Sequence, residues 1–304
     1  MSSVMRYTTI CVIAGAIAGG CVTAGSGFPA SGPGPGTIIY AVTLRNEYPA
    51  IYRLDLVPHR WRRLIANADQ PEVSRSGRRI AFVRRGNIWI ANSDGTHQLR
   101  ITRTGRDSDP AWGPRDRILY FSRTLGNAAA GVFSIPVRGG RAVQLTHPAA
   151  NVCHLDPAPD PTGRVIGYEQ YPDCVRGGAV WLKAVRSDGR GATGLAEHFQ
   201  ASRNGTRNVA GLSWSPNGRD VAFAGFDLDQ TLRNGMYVSR RNGDRARRIW
   251  AEEQPDYDTD TAWSRDGVRV AFTVQAAVWI ARPGGGVWNV TGHIAPSDSP
   301  SWLP

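Results

Sequence analysis

From Thr37 onward the apolar residues fall in short runs rich in β-branched and aromatic side chains, and no long stripe at helical spacing interrupts them. The runs return in a fixed order. Asp109-Pro-Ala-Trp-Gly-Pro-Arg-Asp-Arg-Ile-Leu-Tyr-Phe121 aligns with Gly211-Leu-Ser-Trp-Ser-Pro-Asn-Gly-Arg-Asp-Val-Ala-Phe223 and with Asp260-Thr-Ala-Trp-Ser-Arg-Asp-Gly-Val-Arg-Val-Ala-Phe272. Weaker copies begin at Gln70 and Asp156, and a truncated one, Ser299-Pro-Ser-Trp-Leu-Pro304, ends the sequence. With the second residue of each copy as marker, the copies fall at Pro71, Pro110, Pro157, Leu212, Thr261 and Pro300, spaced by 39, 47, 55, 49 and 39 residues.

Every copy continues as a strand, a glycine-bearing turn, a second strand, a variable loop, a third strand, a tight turn and a fourth strand. The last two are plain in Asn87–Ala91 and Gln98–Thr102, in Val132–Ile135 and Ala142–Thr146, and in Val278–Ala281 and Val287–Thr291. Turns such as Asp94-Gly95 and Asn242-Gly243 supply the positive φ that tight hairpins need. Four antiparallel strands per repeat predict an all-β, six-bladed β-propeller. Residues 37–67 hold three strands only (Ile38–Val42, Ala50–Leu56, Trp61–Ala66), and the C-terminus supplies one orphan strand. The two together predict a blade that closes the ring and leaves no long unpaired edge between the termini.

The repeat Pro-x-Trp-Ser-Pro-x-Gly-x-x-Val-Ala-Phe, followed by Ile-Trp-Ile and an Asp-Gly hairpin, resembles the TolB-like β-propeller repeat, also called the WD40-like PD40 repeat. The resemblance covers about residues 37–304 and implies a fold rather than an activity. TolB carries an amino-terminal α/β domain, for which no counterpart precedes the first strand here. Related propellers of dipeptidyl-peptidase type append a hydrolase domain with a Gly-x-Ser-x-Gly turn, also without counterpart.

Composition sharpens this picture. Among 304 residues, 35 glycines, 20 prolines and 10 tryptophans suit a turn-rich, aromatic-packed β fold and exclude collagen and intrinsic disorder. Residues 1–20 read as a signal peptide: Arg6, then the apolar run Ile10–Ala18, too short to span a bilayer. Ala18-Gly19-Gly20-Cys21 resembles a lipobox, which implies lipid on Cys21. Residues 21–36 form a Gly/Ser/Pro tether, expected to be flexible. The protein is therefore expected outside the cytoplasm, as a membrane lipoprotein or in the periplasmic or extracellular space. The formal charge is +11, but Lys183 is the only lysine, a bias that fits Arg-rich codon usage as well as an anionic partner. Export argues against nucleic acid, and a monomer is expected.

Strand order assigns loops to faces. Cys153 precedes the fourth repeat and Cys174 follows its second strand, so both lie on one face, where a disulfide is reasonable in an exported protein. The same face collects Asp69, Asp107 and Asp109, Asp156, Asp258 and Asp260, and Asp298, with Glu252, Glu253 and Asp256 beside them. These acids either ring the mouth of the central channel, where they suit Ca2+ or a cationic ligand, or cap the turns into their own strands. The opposite face collects arginine on first turns and hairpins, from Arg75 and Arg79 to Arg269. Histidines 59, 97, 147, 154, 198 and 293 are scattered without metal-ligand spacing. Trp112, Trp214, Trp263 and Trp302 recur at one position and are expected to pack. The pattern points to a protein- or ligand-binding scaffold module at the cell envelope, with a metal-dependent lyase or hydrolase at the acidic mouth as the alternative.

Overall fold

A computed structural model of the chain describes residues 32–44, 47–176, 179–200, 207–227, 234–251, 259–292 and 297–303. The signal peptide, Cys21 and most of the expected tether lie outside them. β1 (Thr37–Val42), β2 (Ala50–Leu56) and β3 (His59–Ile65) open the described fold. They are followed by β4 (Asp69–Val73), β5 (Arg79–Arg84), β6 (Asn87–Asn92) and β7 (Leu99–Arg100), then by β8 (Asp107–Trp112), β9 (Ile118–Thr124), β10 (Ala130–Pro136) and β11 (Val143–Gln144). Next come β12 (Cys153–Pro159), β13 (Val165–Tyr171), β14 (Trp181–Arg186), β15 (Ala192–Gly194), and β16 (Arg207–Trp214), β17 (Asp220–Asp227), β18 (Gly235–Arg240), β19 (Arg247–Ala251). β20 (Thr261–Trp263), β21 (Val270–Val274), β22 (Ala277–Ala281), β23 (Val287–Asn289) and β24 (Ser297–Leu303) complete it.

The chain is an all-β protein of antiparallel four-stranded units. β4–β7, β16–β19 and β20–β23 each form a sheet in sequence order, here units two, five and six. β8–β11 and β12–β15, units three and four, share one sheet because Ala130 of β10 bridges Cys153 of β12. In unit one the C-terminal strand β24 pairs with β1, in the order β24-β1-β2-β3, with Ile39 opposite Ser301.

Apolar residues fill the seams between units. Ile39, Ile51 and Ile65 of unit one meet Ile80 and Phe82 of unit two. Phe121 and Leu119 of unit three meet Ala81 and Ile88 of unit two, and corresponding clusters join three to four, four to five and five to six. A sixth cluster joins Ala271, Val278 and Ile280 of unit six to Ile38, Tyr40 and Leu54 of unit one. Phe82, Phe121, Phe223 and Phe272, each eleven residues after its marker, are fully buried, a gain of roughly 1.5–3 kcal/mol per side chain over exposure. The first strands also touch in turn: β4 against β8, β8 against β12, β12 against β16, β16 against β20, β20 against β24 and β24 against β4.

The repeated tryptophan has a polar task as well as a packing one. The indole N–H of Trp112 donates to the Glu72 carbonyl (2.9 Å), that of Trp214 to Ala158 (2.9 Å) and that of Trp302 to Ala262 (3.0 Å), each in the preceding first strand. Fourth strands are shorter than the sequence suggests, and threonine is the reason. The hydroxyls of Thr102, Thr146 and Thr291 accept the backbone N–H of Ile88, Val132 and Val278 (2.9 Å each), so a side chain replaces the backbone carbonyl and the ladder stops early.

Candidate functional site

Five of the six first strands, all but β20, carry the same irregularity. The residue before the marker is left-handed at Gln70 (φ 50°), Asp109 (50°), Asp156 (49°), Gly211 (67°) and Ser299 (48°). The pairing registers shift at each of these five points. This is a β-bulge, which turns side chains out of the ladder and toward the neighbouring strand. Four of the five accommodate a side chain. Gly211 does not, because a Cβ there would collide with the Thr259 carbonyl.

Asp109 and Asp156 stand at these bulges, Asp69 and Asp298 beside them, and Asp260 at the equivalent position of β20, which has no bulge. Asp109 receives the Gln70 amide at 2.6 Å and the Ser108 hydroxyl at 3.0 Å, while its own N–H donates back to the Gln70 side chain (3.0 Å). Asp260 receives both the N–H (3.1 Å) and the hydroxyl (3.0 Å) of Ser299. Asp69 receives the adjacent Gln70 N–H (2.8 Å), the turn-capping bond of the second reading. The Asp156 N–H donates to Ser122 of unit three (3.2 Å), and Asp298 stands opposite Ala41 in the β24–β1 pairing. Asp69 and Asp109 thus meet at Gln70, and Asp260 meets Ser299, the residue after Asp298. Among the described residues no three His, Cys, Asp or Glu side chains are grouped to hold a metal ion. Glu252, Glu253, Asp256 and His293 lie outside those residues.

The charged residue the sequence reading missed is Glu72. The residue after the marker is Ala111, Ala158, Ser213, Ala262 or Ser301 in the other five units, and only unit two has a charge there. Its carboxylate accepts the Ser301 hydroxyl (2.9 Å), and the same hydroxyl accepts the Val73 N–H (2.9 Å), tying β24 to β4. Burial pushes the Glu72 carboxyl up to about 7, and the Asp260 charge adds to the shift while Ser301 and Arg75 oppose it. Arg75 brings charges from several units together. Burial works against its guanidinium; Glu72, Asp160 of unit four and Asp116 of unit three favour the charge, and Arg265 of unit six opposes it. Asp116 also receives the N–H groups of Arg75 (2.9 Å) and Ser76 (3.1 Å). The repeat alignment held the signal for Glu72: one acid in a column of alanine and serine.

Cys153 and Cys174 form the expected disulfide, with Cα atoms 5.7 Å apart. Beside it His154 is buried against Tyr168 (ring centroids 4.7 Å), with Nδ1 lacking a hydrogen-bond partner. Desolvation holds this imidazole down at about 4, hence neutral at physiological pH. His59 meets the Val290 carbonyl (2.9 Å), His97 meets Asn92 (2.9 Å), and His147 is exposed. The arginine-rich face is partly absorbed by packing: Arg79 lies over Trp112 (4.9 Å), Arg269 over Trp302 (4.6 Å) and Arg241 over Trp214 (5.6 Å).

No family model and no curated protein matches the chain in sequence. Solved structures do match its fold. TolB from Acinetobacter baumannii superposes with a TM-score of 0.67 at 13% identity, over 88% of this chain and 67% of that one. A nidogen/laminin complex gives 0.63 at 11% identity, over 88% and 99%. Oligogalacturonate lyase from Vibrio parahaemolyticus gives 0.56 at 12% identity, over 83% and 78%. At such identities the likeness is one of architecture: the chain has the β-propeller fold seen in TolB.

Proposed function

We propose that the six units form a closed six-bladed propeller, exported and anchored through lipid on Cys21, that binds a cationic group of a protein or small ligand at its channel mouth on the cell envelope. The cyclic succession of first-strand contacts and the six apolar seams support closure. The Cys153–Cys174 disulfide supports an oxidising compartment. TolB and the nidogen/laminin complex support a binding role for such a wheel. The observation that carries the reading is Glu72, a lone carboxylate where every other unit presents alanine or serine.

A glutamate whose carboxyl titrates near 7 is half-prepared for a positive partner: contact with a cation pulls the proton off and replaces lost hydration. Binding that uses this charge weakens as pH falls through about 7. The test is capture of partners from the native envelope by the full chain and by Glu72→Gln, which keeps the shape and the Ser301 contact. Capture by the unsubstituted chain, lost in Glu72→Gln and weakened at pH 6, is expected; equal capture by both overturns the reading. The alternative is a metal-dependent lyase or hydrolase, for which the lyase neighbour speaks. Its signature is turnover of an oligosaccharide or peptide that disappears when Asp109, Asp156 and Asp260 are changed to Ala in a chain that still folds.

A further inference from the structure

Units two, three, four and six end in outer strands of two or three residues, but β3, the outer strand of unit one, runs for seven. Five consecutive residues of β3, His59, Arg60, Trp61, Arg62 and Arg63, are exposed, and β3 is the edge of its sheet. None of the three guanidiniums holds an ion pair among the described residues. Asp55 on β2, opposite Arg60 in the pairing and favoured in its charged form by Arg62, is already held by Arg53 (2.9 and 2.8 Å) and by the Thr37 hydroxyl (2.6 Å). Trp61 stands 65% exposed in their midst, leaning on Tyr52 with ring centroids 5.9 Å apart, and Val57 in the turn before β3 is 64% exposed.

Charge on an edge strand discourages edge-to-edge pairing, which accounts for arginines here. It does not account for a tryptophan left open among them. Arginine beside exposed tryptophan is the combination that suits a bilayer interface: guanidiniums reach anionic headgroups while the indole occupies the boundary between headgroup and acyl chain. The path of the chain points the same way. Arg269 holds the Pro33 and Pro35 carbonyls (3.2 and 2.6 Å), and the Gly36 carbonyl accepts the Leu56 N–H (2.9 Å). The segment leading back toward Cys21 therefore passes the β2–β3 turn, where Gly36, Val57 and Arg60 line one cleft, and continues onto Arg269 of unit six. The residues before Gly32 include the uncharged run Ile10–Ala18.

We infer that β3 is a docking strand for an anionic membrane surface, with Arg60, Arg62 and Arg63 on the headgroups and Trp61 at the interface. The inference takes its setting from the envelope location proposed above but needs neither the lipid nor the channel mouth. It is tested with the full chain carrying Cys21→Ser, floated with vesicles of phosphatidylcholine alone or with about one-third phosphatidylglycerol, at low and high salt. Arg60→Gln/Arg62→Gln/Arg63→Gln is compared with Arg117→Gln/Arg138→Gln/Arg141→Gln, three exposed arginines of unit three that remove the same charge. Circular dichroism and thermal melts check that each variant folds.

Expected is binding to the anionic vesicles only, weakened by salt, reduced at least about tenfold in the β3 variant and little changed in the unit-three variant. Trp61→Ala should weaken it severalfold at every salt concentration. Equal binding to neutral vesicles, equal loss in both triple variants, or no vesicle binding overturns the inference. Retention on an acidic polypeptide with no affinity for vesicles also overturns it, and would assign the strand to a protein partner. Because no variant touches Glu72, failure here leaves the channel-mouth reading standing.

Discussion

Units three and four lie in one sheet and share one bulge, yet they fill equivalent positions with different chemistry. Three residues before the marker stands Asp107 in unit three and His154 in unit four; eleven after it, Phe121 and Tyr168; thirteen after it, Arg123 and Gln170. In unit three the fully buried Asp107 side chain holds Arg123 at 2.6 Å, and the guanidinium lies over Phe121 (5.1 Å) and Phe133 (4.8 Å). Unit four has no such pair. A neutral histidine packs on tyrosine, and the Cys153–Cys174 bond closes the loop beside it. The repeat fixes the backbone through the bulge and leaves each unit free to secure its outer end by charge pairing or by covalent cross-link.

The sharpest break in that comparison is Arg123→Ala. It leaves Asp107 buried without its cation, and denaturant unfolding should show a loss of about 3–5 kcal/mol. Gln170→Ala, the same position in unit four, should cost under about 1 kcal/mol. Partial recovery when Asp107→Asn is added to Arg123→Ala would locate the loss in the stranded carboxylate. Next in size is the cross-link. Removing it with Cys153→Ala/Cys174→Ala frees a loop of 21 residues' separation and should cost about 3 kcal/mol in the chain-entropy account. A reducing agent should reproduce that loss in the unsubstituted protein and add nothing in the double variant.

The position after the marker extends the comparison to unit two, where Glu72 replaces the alanine of units three and four. Its folded pKa, about 7, lies above the ordinary carboxylate value, so the folded state binds its proton more tightly than the unfolded chain does. The resulting stability is fully present below the unfolded pKa and is lost as pH rises through about 7. Glu72→Gln should therefore stabilise the protein by about 2 kcal/mol at pH 8, with the gain vanishing by pH 4, a figure trimmed for the carboxylate's residual exposure. His154 gives the smallest effect and the opposite sign. Its folded pKa of about 4 lies below the ordinary imidazole value of 6.5, so its contribution is present above 6.5 and lost as pH falls toward 4. His154→Phe should flatten this acid limb by about 1 kcal/mol, visible as a smaller drop in melting temperature between pH 6.5 and 4.5.

Much of the architecture was legible because the repeat registers on residues whose physics is unambiguous: tryptophan two after the marker, a buried phenylalanine eleven after it, Gly in the hairpins. The disulfide followed from strand order together with the expected export. The lengths of the fourth strands did not, since Thr102, Thr146 and Thr291 end the ladder with their hydroxyls and a β pattern cannot reveal which partner a threonine chooses. The acids were legible as residues but not as contacts. Asp109 and Asp260 meet residues 39 positions away, and no local rule pairs Asp109 with Gln70 or Asp260 with Ser299. Glu72 escaped notice because the motif drew attention to what the copies share, whereas its meaning lies in the one copy that departs.

The most direct test of the account is native-state hydrogen exchange across the β24–β1 pairing. If β24 completes unit one and closes the wheel, amides shared by these strands should exchange only through global unfolding, as slowly as those of β5 and β9. Exchange of β24 at a much lower opening free energy, with β5 and β9 still protected, would contradict closure.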